Sequence, residues 1–173
     1  MSTATKSVTL RPTQPQDEEF LCGLYASTRT EELAVVDWPA HEKEAFLRMQ
    51  FTAQHTYYHE SYAKASYQVI LLDGQPVGRL YVQRWDNEIR LIDISLLPEH
   101  RNRGIGSSLL SELMAEARGS GRPLTIHVEK FNPALRLYER LGFRRSDDRG
   151  VYWFLEWRPD VNEPQNPKEP SKP

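Results

Sequence analysis

Two arginines and two glycines stand together at the start of a predicted helix, in the stretch PEHRNRGIGSSLL (98–110). The first turn of a helix presents backbone N–H groups without an intrahelical partner, together with the positive end of the helix dipole. Gly104 and Gly106 would let an anion come close to that backbone, and arginines such as Arg101 and Arg103 add charge-assisted hydrogen bonds. The pattern therefore predicts a phosphate or pyrophosphate site.

Three other interpretations of this stretch compete with that prediction. A Walker phosphate loop ends in Gly-Lys-Ser or Gly-Lys-Thr, and no lysine occurs between residues 98 and 110. A dinucleotide-binding fingerprint needs a third glycine where Leu109 stands, and it follows the first strand of a βαβ unit. Neither of these motifs fits, whereas an ordinary turn with solvated arginines stays open on these residues alone.

The flanking sequence must supply the elements that hold this stretch in place. Its patterns predict the order β, two helices, three strands, helix, strand, helix, two strands. A polar link, 27–38, joins the first helix to a second helix that begins near Pro39. A strand at 88–97 precedes the arginine–glycine stretch and a strand at 124–129 follows the next helix, so these two strands should be parallel. We expect a mixed sheet with helices on its faces.

Composition limits the kind of protein and its surroundings. A chain of 173 residues with 39% hydrophobic and 27% charged residues is typical of a globular domain. No apolar run approaches the about 20 residues that a membrane helix requires, so we expect no membrane partner. The N-terminus lacks the apolar core of a signal peptide, and the lone cysteine, Cys22, suits a reducing compartment, so we expect the cytoplasm. The formal net charge of −2 gives no general attraction to a nucleic acid.

The chain is expected to form one domain over residues 8–158, followed by a proline-rich tail at 159–173. That tail has almost no apolar residues, so we expect it to be disordered. The histidines show no metal-ligand spacing apart from His55 and His59, one helical turn apart. No glutamate follows His55, so no metal is expected.

The arginine–glycine stretch resembles a known family signature. Arg101-x-x-Gly104-x-Gly106, after a strand and loop, looks like the acetyl-CoA motif of the GCN5-related N-acetyltransferases, the GNAT family. The run NPALRLYERLGF (132–143) resembles that family's second hallmark, at the right separation. The order of elements from 8 to 157 also matches. The resemblance implies an α/β (α+β) fold: a mixed, mostly antiparallel sheet of about seven strands, helices on both faces, and a parallel, splayed strand pair at the cofactor site.

The resemblance also implies which residues bind acetyl-CoA as a cosubstrate. Backbone amides of the arginine–glycine stretch would hold the pyrophosphate, and the end of the preceding strand would bind the pantetheine arm like an added strand. One of those amides would polarise the thioester carbonyl. Asn132 could add its side-chain amide, although an ordinary helix cap explains it equally well. The implied cofactor-binding residues are Ser95, Leu96, Leu97, Arg101, Asn102, Arg103, Gly104, Ile105, Gly106, Ser107 and Asn132.

Transfer of an acetyl group to an amine requires proton movements. An alkyl amine is protonated near pH 7, so a base or a water chain must remove a proton, and the departing thiolate benefits from a donor. In the family, the tyrosine of the second hallmark lies near the sulfur, which makes Tyr138 the expected donor. Tyr138 could instead be a packed aromatic residue, since it shares a helical face with Leu135 and Leu141.

The sequence does not decide which of two strands provides the general base. Asp93 shares a strand face with Ser95 next to the motif, and Glu129 shares a face of the neighbouring strand with His127. Each carboxylate could equally be an ordinary ion-paired or hydrogen-bonded side chain. The catalytic candidates are therefore Tyr138, Asp93 and Glu129.

The leading hypothesis is an enzyme that moves the acetyl group directly from the thioester to a primary amine; the alternative is a non-catalytic acyl-CoA-binding sensor with the same fold. The acceptor is not named by the sequence. Glu31, Glu32 and Asp37 beside Trp38 would attract a small cationic amine. They could equally be a solvated acidic link with Trp38 in the core. We expect a monomer or a homodimer.

Overall fold

A seven-stranded sheet organises the computed structural model, which describes residues 6–159. The strand order is β1-β2-β3-β4-β5-β7-β6, and β4–β5 is the parallel pair among antiparallel neighbours. The helices and strands are β1 Val8–Pro12, α1 Glu18–Ala34, α2 Ala40–Ser61, β2 Ser66–Leu72, β3 Gln75–Arg84, β4 Ile89–Leu96, α3 Ile105–Ser120, β5 Leu124–Glu129, α4 Leu135–Arg140, β6 Arg144–Arg149 and β7 Tyr152–Trp157. The predicted fold class and the predicted order of elements are confirmed.

The parallel pair in the middle of the sheet is short. β4 and β5 are paired at three positions, from Ile89 opposite Leu124 to Leu91 opposite Ile126. Beyond Leu91 the two strands run on, to Leu96 and to Glu129, without pairing to each other. The sheet therefore contains a V-shaped gap between β4 and β5, as the predicted splayed pair requires.

The main apolar core lies between the sheet and the helices α3 and α4. α3 buries leucines at helical spacing and α4 buries Leu135 and Tyr138, against alternating strand residues. Each fully buried leucine contributes about 1.5–3 kcal/mol. The largest fully buried members are Ile70, Ile89, Leu91, Leu110, Leu124, Leu155, Val82 and Trp157. This packing fixes the position of α3, and with it the loop that precedes α3.

The opposite face of the sheet carries α1 and α2 and is much more polar. These two helices pack on each other through Leu21, Cys22, Tyr25 and Phe51. The strand side chains beneath them include Arg79 on β3, which is buried among polar and aromatic groups. A charged side chain on a buried sheet face suggests a role other than filling the core.

A β-bulge interrupts β4 where its pairing with β5 ends. Tyr81 of β3 lies opposite Asp93, but the next residue, Val82, lies opposite Leu91, so Ile92 is an extra residue. A bulge bends its strand and increases the local twist. The bend falls next to the last β4–β5 pair and so accompanies the opening of the gap.

The predicted polar link at 27–38 is wrong over most of its length, because α1 continues to Ala34. The hydroxyl groups of Ser27 and Thr28 donate to the carbonyl oxygens of Leu24 and Tyr25, both at 2.6 Å. Side chains that bond back to the preceding turn can remain inside a helix. The real link is therefore only a few residues long. It ends at Pro39, which lies directly before α2 rather than at the predicted first helical position.

Two predictions concern the ends of the chain. The proline-rich tail expected at 159–173 lies, apart from Pro159, outside the described residues. Within residues 6–159, no helix is both long enough and apolar enough to cross a membrane.

Candidate active site

The loop between β4 and α3 presents a row of unused backbone donors. Within the described residues, the N–H groups of residues 102–107 donate no hydrogen bond; the amide of Ser108 is the first to do so, to the carbonyl of Gly104 at 3.0 Å. Asn102 and Gly104 have positive φ values, 58° and 84°, which turn the chain sharply into α3. Six consecutive free amides at a helix N-terminus form a cradle for an anion.

The glycines of this loop leave space that packing does not use. A Cβ atom added at Gly104 or at Gly106 would meet nothing within 4 Å. Gly104 needs its missing side chain for its positive φ, whereas no such constraint is found at Gly106. The open surface above Gly106 therefore fits the approach of a ligand to the backbone, and the loop fits a pyrophosphate group.

The two arginines of the loop have different surroundings. Arg101 turns back over the chain, and its Nε donates to the carbonyl oxygen of Leu96 at 2.9 Å. Its Nη2 lies 3.4 Å from the hydroxyl of Ser27 on α1, and its amide bonds Pro98 at 3.3 Å. Arg103 is exposed. Arg101 thus braces the loop against β4 and α1 although it is exposed, whereas no side-chain hydrogen bond of Arg103 is found within residues 6–159.

The end of β4 offers backbone groups to the gap on one side only. The N–H of Leu97 donates to Val77 of β3 at 2.8 Å. Because backbone groups alternate in direction along an antiparallel strand, Ser95 also faces β3, while Ile94 and Leu96 face the gap. Of the three strand residues predicted to bind the pantetheine arm, Leu96 has its backbone on the correct side.

A glycine of β3 allows β4 to come unusually close. A Cβ atom added at Gly78 would lie 2.3 Å from the carbonyl oxygen of Ser95 and 2.8 Å from Cδ2 of Leu96. Real Cβ atoms do not approach a backbone oxygen so closely, so this position requires glycine. Sequence analysis missed Gly78, because a glycine in a strand reveals nothing about its neighbour across the sheet.

Tyr138 on α4 is buried beside the gap. Its side chain is 4% exposed, and its ring packs edge-on against Phe143, with centroids 5.7 Å apart. Burial, and after it the charge of Asp93, raises the pKa of Tyr138. The hydroxyl has no hydrogen-bond partner among residues 6–159. The Tyr138 hydroxyl therefore stays protonated, and it is close enough to Asp93 to feel its charge although Asp93 belongs to the other face of the sheet.

Asp93 is the centre of a polar cluster on the α1–α2 face. Its Oδ2 accepts from Nε of Arg79 at 2.5 Å and from the hydroxyl of Ser95 at 2.9 Å. The charge of Asp93 is also the second cause, after burial, that raises the pKa of Tyr58 on α2. The structure thus brings Asp93, Ser95 and Tyr138 together around the gap, on strands and helices rather than on loops.

Glu129 lies in a separate ion pair at the end of β5. Both of its carboxylate oxygens are bonded by Arg29 of α1, at 2.9 and 3.3 Å. The Glu129 side chain is 36% exposed, against 23% for Asp93. Burial, and after it the charge of Glu129, raises the pKa of Tyr152. Glu129 therefore sits at a more open position, where it ties α1 to β5.

Three further predicted residues have well-defined surroundings. The Asn132 side-chain oxygen accepts from the amide of Ala134 at 2.9 Å, which closes a turn before α4; the N-terminal cap position of that helix is Ala134, so the predicted cap at Asn132 is wrong. His127 is bonded through Nε2 to Arg149 at 3.0 Å. Trp38 is 43% exposed and packs edge-on against Phe46, with centroids 5.4 Å apart, rather than in the main core.

Comparison with known proteins identifies the class of this protein. Residues 28–143 match the model of the acetyltransferase (GNAT) family, which is more than half of the chain. The chain belongs to this family. This is a family of acetyltransferases, which use acetyl-CoA as the acyl donor.

Individual relatives are more distant. A curated [ribosomal protein bS18]-alanine N-acetyltransferase of Haemophilus influenzae is 31% identical over 85 residues, which are 49% of this chain and 58% of that protein. The match therefore spans little more than half of that relative's length. The crystal structure of the PaiA N-acetyltransferase of Thermoplasma acidophilum in complex with coenzyme A has a TM-score of 0.66 and 19% identity, covering 88% of this chain and 99% of that chain. An acetyltransferase of Thermus thermophilus has a TM-score of 0.63 and 22% identity, covering 88% and 97%. These structures share the fold.

Proposed function

We propose that this chain transfers the acetyl group of acetyl-CoA directly to a primary amine that binds on the α1–α2 face of the sheet. The observation that carries the proposal is the gap between β4 and β5. A cradle of free amides, residues 102–107, lies beyond the end of β4. Asp93 and Tyr138 lie on the two faces of the sheet beside the gap. Acetyl-CoA bound along the gap would thus have the site for the amine on one side and a hydrogen-bond donor, Tyr138, on the other.

The binding half of the mechanism uses the backbone. Amides 102–107 would hold the pyrophosphate, with Arg103 and Ser107 beside it. The backbone groups of Ile94 and the N–H of Leu96 would pair with the pantetheine arm, which fills the space that further β4–β5 pairs would occupy; the Leu96 carbonyl already accepts from Arg101. Bound acetyl-CoA supplies a thioester whose carbonyl carbon an amine can attack. An amide facing the gap would donate to the carbonyl oxygen as negative charge develops there.

The chemical half uses two side chains. Asp93 accepts a proton from the acceptor ammonium or amine, directly or through water, and the freed nitrogen forms the new C–N bond. Tyr138 donates a hydrogen bond to the sulfur as the C–S bond breaks, because its raised pKa keeps the hydroxyl protonated. The departing thiolate then takes up a proton that the acceptor nitrogen loses. Glu129 is the second candidate for the base, but its two oxygens are both held by Arg29. We therefore favour Asp93.

The side chains around α1 and α2 indicate which class of amine could be the acceptor. Glu31 and Glu32 lie on the exposed side of α1, and the half-exposed ring of Trp38 follows them. Glu31 and Trp38 suit a small cationic amine, whereas Glu32 is already paired with Arg29 at 3.0 Å. A second acceptor, the α-amino group of a protein, is favoured by the similarity to an enzyme named as a ribosomal-protein alanine N-acetyltransferase. The free Cys22 agrees with a cytoplasmic location.

An assay of thiol release tests this proposal. The purified chain is mixed with acetyl-CoA and, in turn, spermidine, free lysine, an aminoglycoside and a peptide that begins with alanine. Release of coenzyme A that depends on one amine, with an acetylated product seen by mass spectrometry, is the expected result. Calorimetric binding of coenzyme A without turnover for any amine would favour the sensor. Absence of coenzyme A binding would overturn the assigned site.

A further inference from the structure

A buried arginine in the middle of the sheet has no part in the mechanism described so far. Arg79 of β3 is 3% exposed, and both of its strand neighbours are buried as well. An ionised group in such a place is strongly unfavourable unless partners compensate its charge and satisfy its donors. Many natural cores place an apolar side chain at such a position, so the arginine needs an explanation.

The partners of Arg79 come from three directions. Its Nε donates to Oδ2 of Asp93 at 2.5 Å, and its Nη2 donates to Oε1 of Gln54 on α2 at 2.8 Å. Its guanidinium carbon lies 4.8 Å from the centroid of the Tyr81 ring. Burial is the largest single influence and lowers the pKa of Arg79, but the charge and hydrogen bond of Asp93, together with Tyr81 and Tyr58, outweigh it. The net pKa is raised, so the group stays charged. The guanidinium plane is therefore fixed at both ends and on one face.

This arrangement determines how Asp93 is presented. Oδ2 is occupied by Arg79 and by the hydroxyl of Ser95. Oδ1 has no hydrogen-bond partner among residues 6–159. A carboxylate held through one oxygen by two donors cannot rotate freely, so the other oxygen keeps a constant direction.

We propose that Arg79 is a positioning residue for acetyl transfer: anchored by Gln54, it holds Oδ2 of Asp93 so that Oδ1 stays available to the acceptor nitrogen or to its water. This inference rests on the proposed function and on the role of Asp93 in it. Gln54 connects the cluster to α2, so the helix that covers the acceptor face also takes part in fixing the carboxylate. Arginine is required rather than lysine, because only a planar fork reaches Asp93 and Gln54 at once.

A purely structural ion pair makes a different prediction. If Arg79 only stabilises the sheet, its replacement lowers stability and reduces the amount of folded enzyme, but each folded molecule works as before. If Arg79 positions Asp93, the folded molecules bind acetyl-CoA normally and turn over slowly, because a small misplacement of a catalytic group can slow a reaction by about 10²-fold.

The test uses four variants and one control. Arg79→Lys, Gln54→Leu, Asp93→Asn and the double variant Arg79→Lys/Asp93→Asn are compared with wild type in kcat, in KM for the best amine of the panel, and in Kd for coenzyme A. The control is Arg84→Gln, which removes another arginine of β3 that bonds Glu116 at the surface. Circular dichroism and thermal melting measure the folded fraction of each.

The expected pattern is a loss of kcat that depends on Asp93. Arg79→Lys should lower kcat by roughly 10- to 100-fold and Gln54→Leu by a smaller factor, with Kd for coenzyme A within about twofold of wild type. The double variant should be no slower than Asp93→Asn alone, since Arg79 acts through Asp93. Arg84→Gln should leave kcat unchanged.

Two results would overturn the proposal while leaving the function intact. One is an active wild type whose kcat is unaltered in folded Arg79→Lys and in Gln54→Leu. The other is a double variant whose loss is the product of the two single losses. A wild type that releases no thiol with any amine would instead remove the proposed function itself, together with this inference. Gln54→Leu keeps the experiment decisive if Arg79→Lys does not fold, because it leaves the Arg79–Asp93 pair buried and neutral overall.

Discussion

Gly78→Ala should damage both the stability of the sheet and the binding of acetyl-CoA. The new methyl carbon would start 2.3 Å from the backbone oxygen of Ser95, and 2.8 and 3.2 Å from side-chain carbons of Leu96 and Ile70. The side-chain carbons of Leu96 and Ile70 can move away, because both belong to flexible side chains. The oxygen belongs to β4 itself, so relief requires β4 to move away from β3 by about 1 Å to reach an ordinary contact near 3.4 Å.

The magnitude follows from that displacement. Overpacking of a buried site costs about 1–3 kcal/mol, and for a chain of this size each kcal/mol lowers Tm by about 2–4 °C. We therefore expect Tm to fall by roughly 2–12 °C. The shift also carries Leu96 into the gap that the pantetheine arm must enter. We expect the Kd for coenzyme A to rise at least tenfold, which corresponds to about 1.4 kcal/mol.

The assay pairs thermal melting with calorimetric titration of coenzyme A. Gly23→Ala is the matched control, because Gly23 lies on the exposed side of α1 and an added Cβ would meet nothing within 4 Å. That variant should gain about 0.5–1 kcal/mol from helix propensity and bind coenzyme A normally. A Gly78→Ala protein with the Tm and the Kd of wild type would show that the close approach of β3 and β4 has no role in keeping the gap open.

Three further predictions concern the cradle, the proton donor and acid sensitivity. Gly106→Trp should raise the Kd for coenzyme A by more than tenfold without unfolding the chain, since its Cβ position is open; a folded variant with normal affinity, measured by calorimetry, would remove the pyrophosphate assignment. Tyr138→Phe should lower kcat by roughly 10- to 10⁴-fold with little change in Kd, and an unaltered kcat where chemistry limits turnover would make the residue a packing group. Burial, then Arg90 and Arg149, lowers the pKa of His127 below its usual 6.5, so the folded state resists its protonation and stability is lost as pH falls below about 6.5. His127→Gln should therefore flatten the fall of unfolding free energy with decreasing pH, measured by urea titration; a slope equal to that of wild type would contradict this.

The sequence was sufficient to predict the parts of the fold whose signals are local. The start of α3 at Gly104 depends on a few adjacent residues and lies where the pattern placed it. The turn at Asn132 is equally local, although α4 begins two residues later than a cap there would require. The parallel β4–β5 pair followed from the helix between the two strands, since a crossover of that length joins parallel neighbours. These features depend on backbone chemistry that neighbouring residues decide among themselves.

The features that were not predicted depend on contacts between distant segments. The polar residues after Ser27 were interpreted as a link, but back-bonded hydroxyls and the contact of Arg29 with Glu129, a hundred residues away, keep them helical. Arg79 carried a visible signal, a charged residue in a strand that is otherwise buried, yet its partner Gln54 lies 25 positions earlier. No periodicity indicates which side chain on α2 will meet a given strand position.

The bulge at Ile92 implies that this sheet is held short of its most stable arrangement. Without Ile92, Leu91 and Asp93 would be adjacent in β4, opposite Val82 and Tyr81. All the remaining side chains of β4 would then stay on the same face of the sheet as now. A straight β4 could then pair with β5 over more residues. The additional backbone hydrogen bonds would stabilise the sheet but close the gap. The extra residue thus lowers the stability of the sheet and keeps the gap open to acetyl-CoA. Selection for thermal stability alone would therefore favour loss of Ile92. If a stabilised variant still contained Ile92, selection for acetyl transfer would explain why.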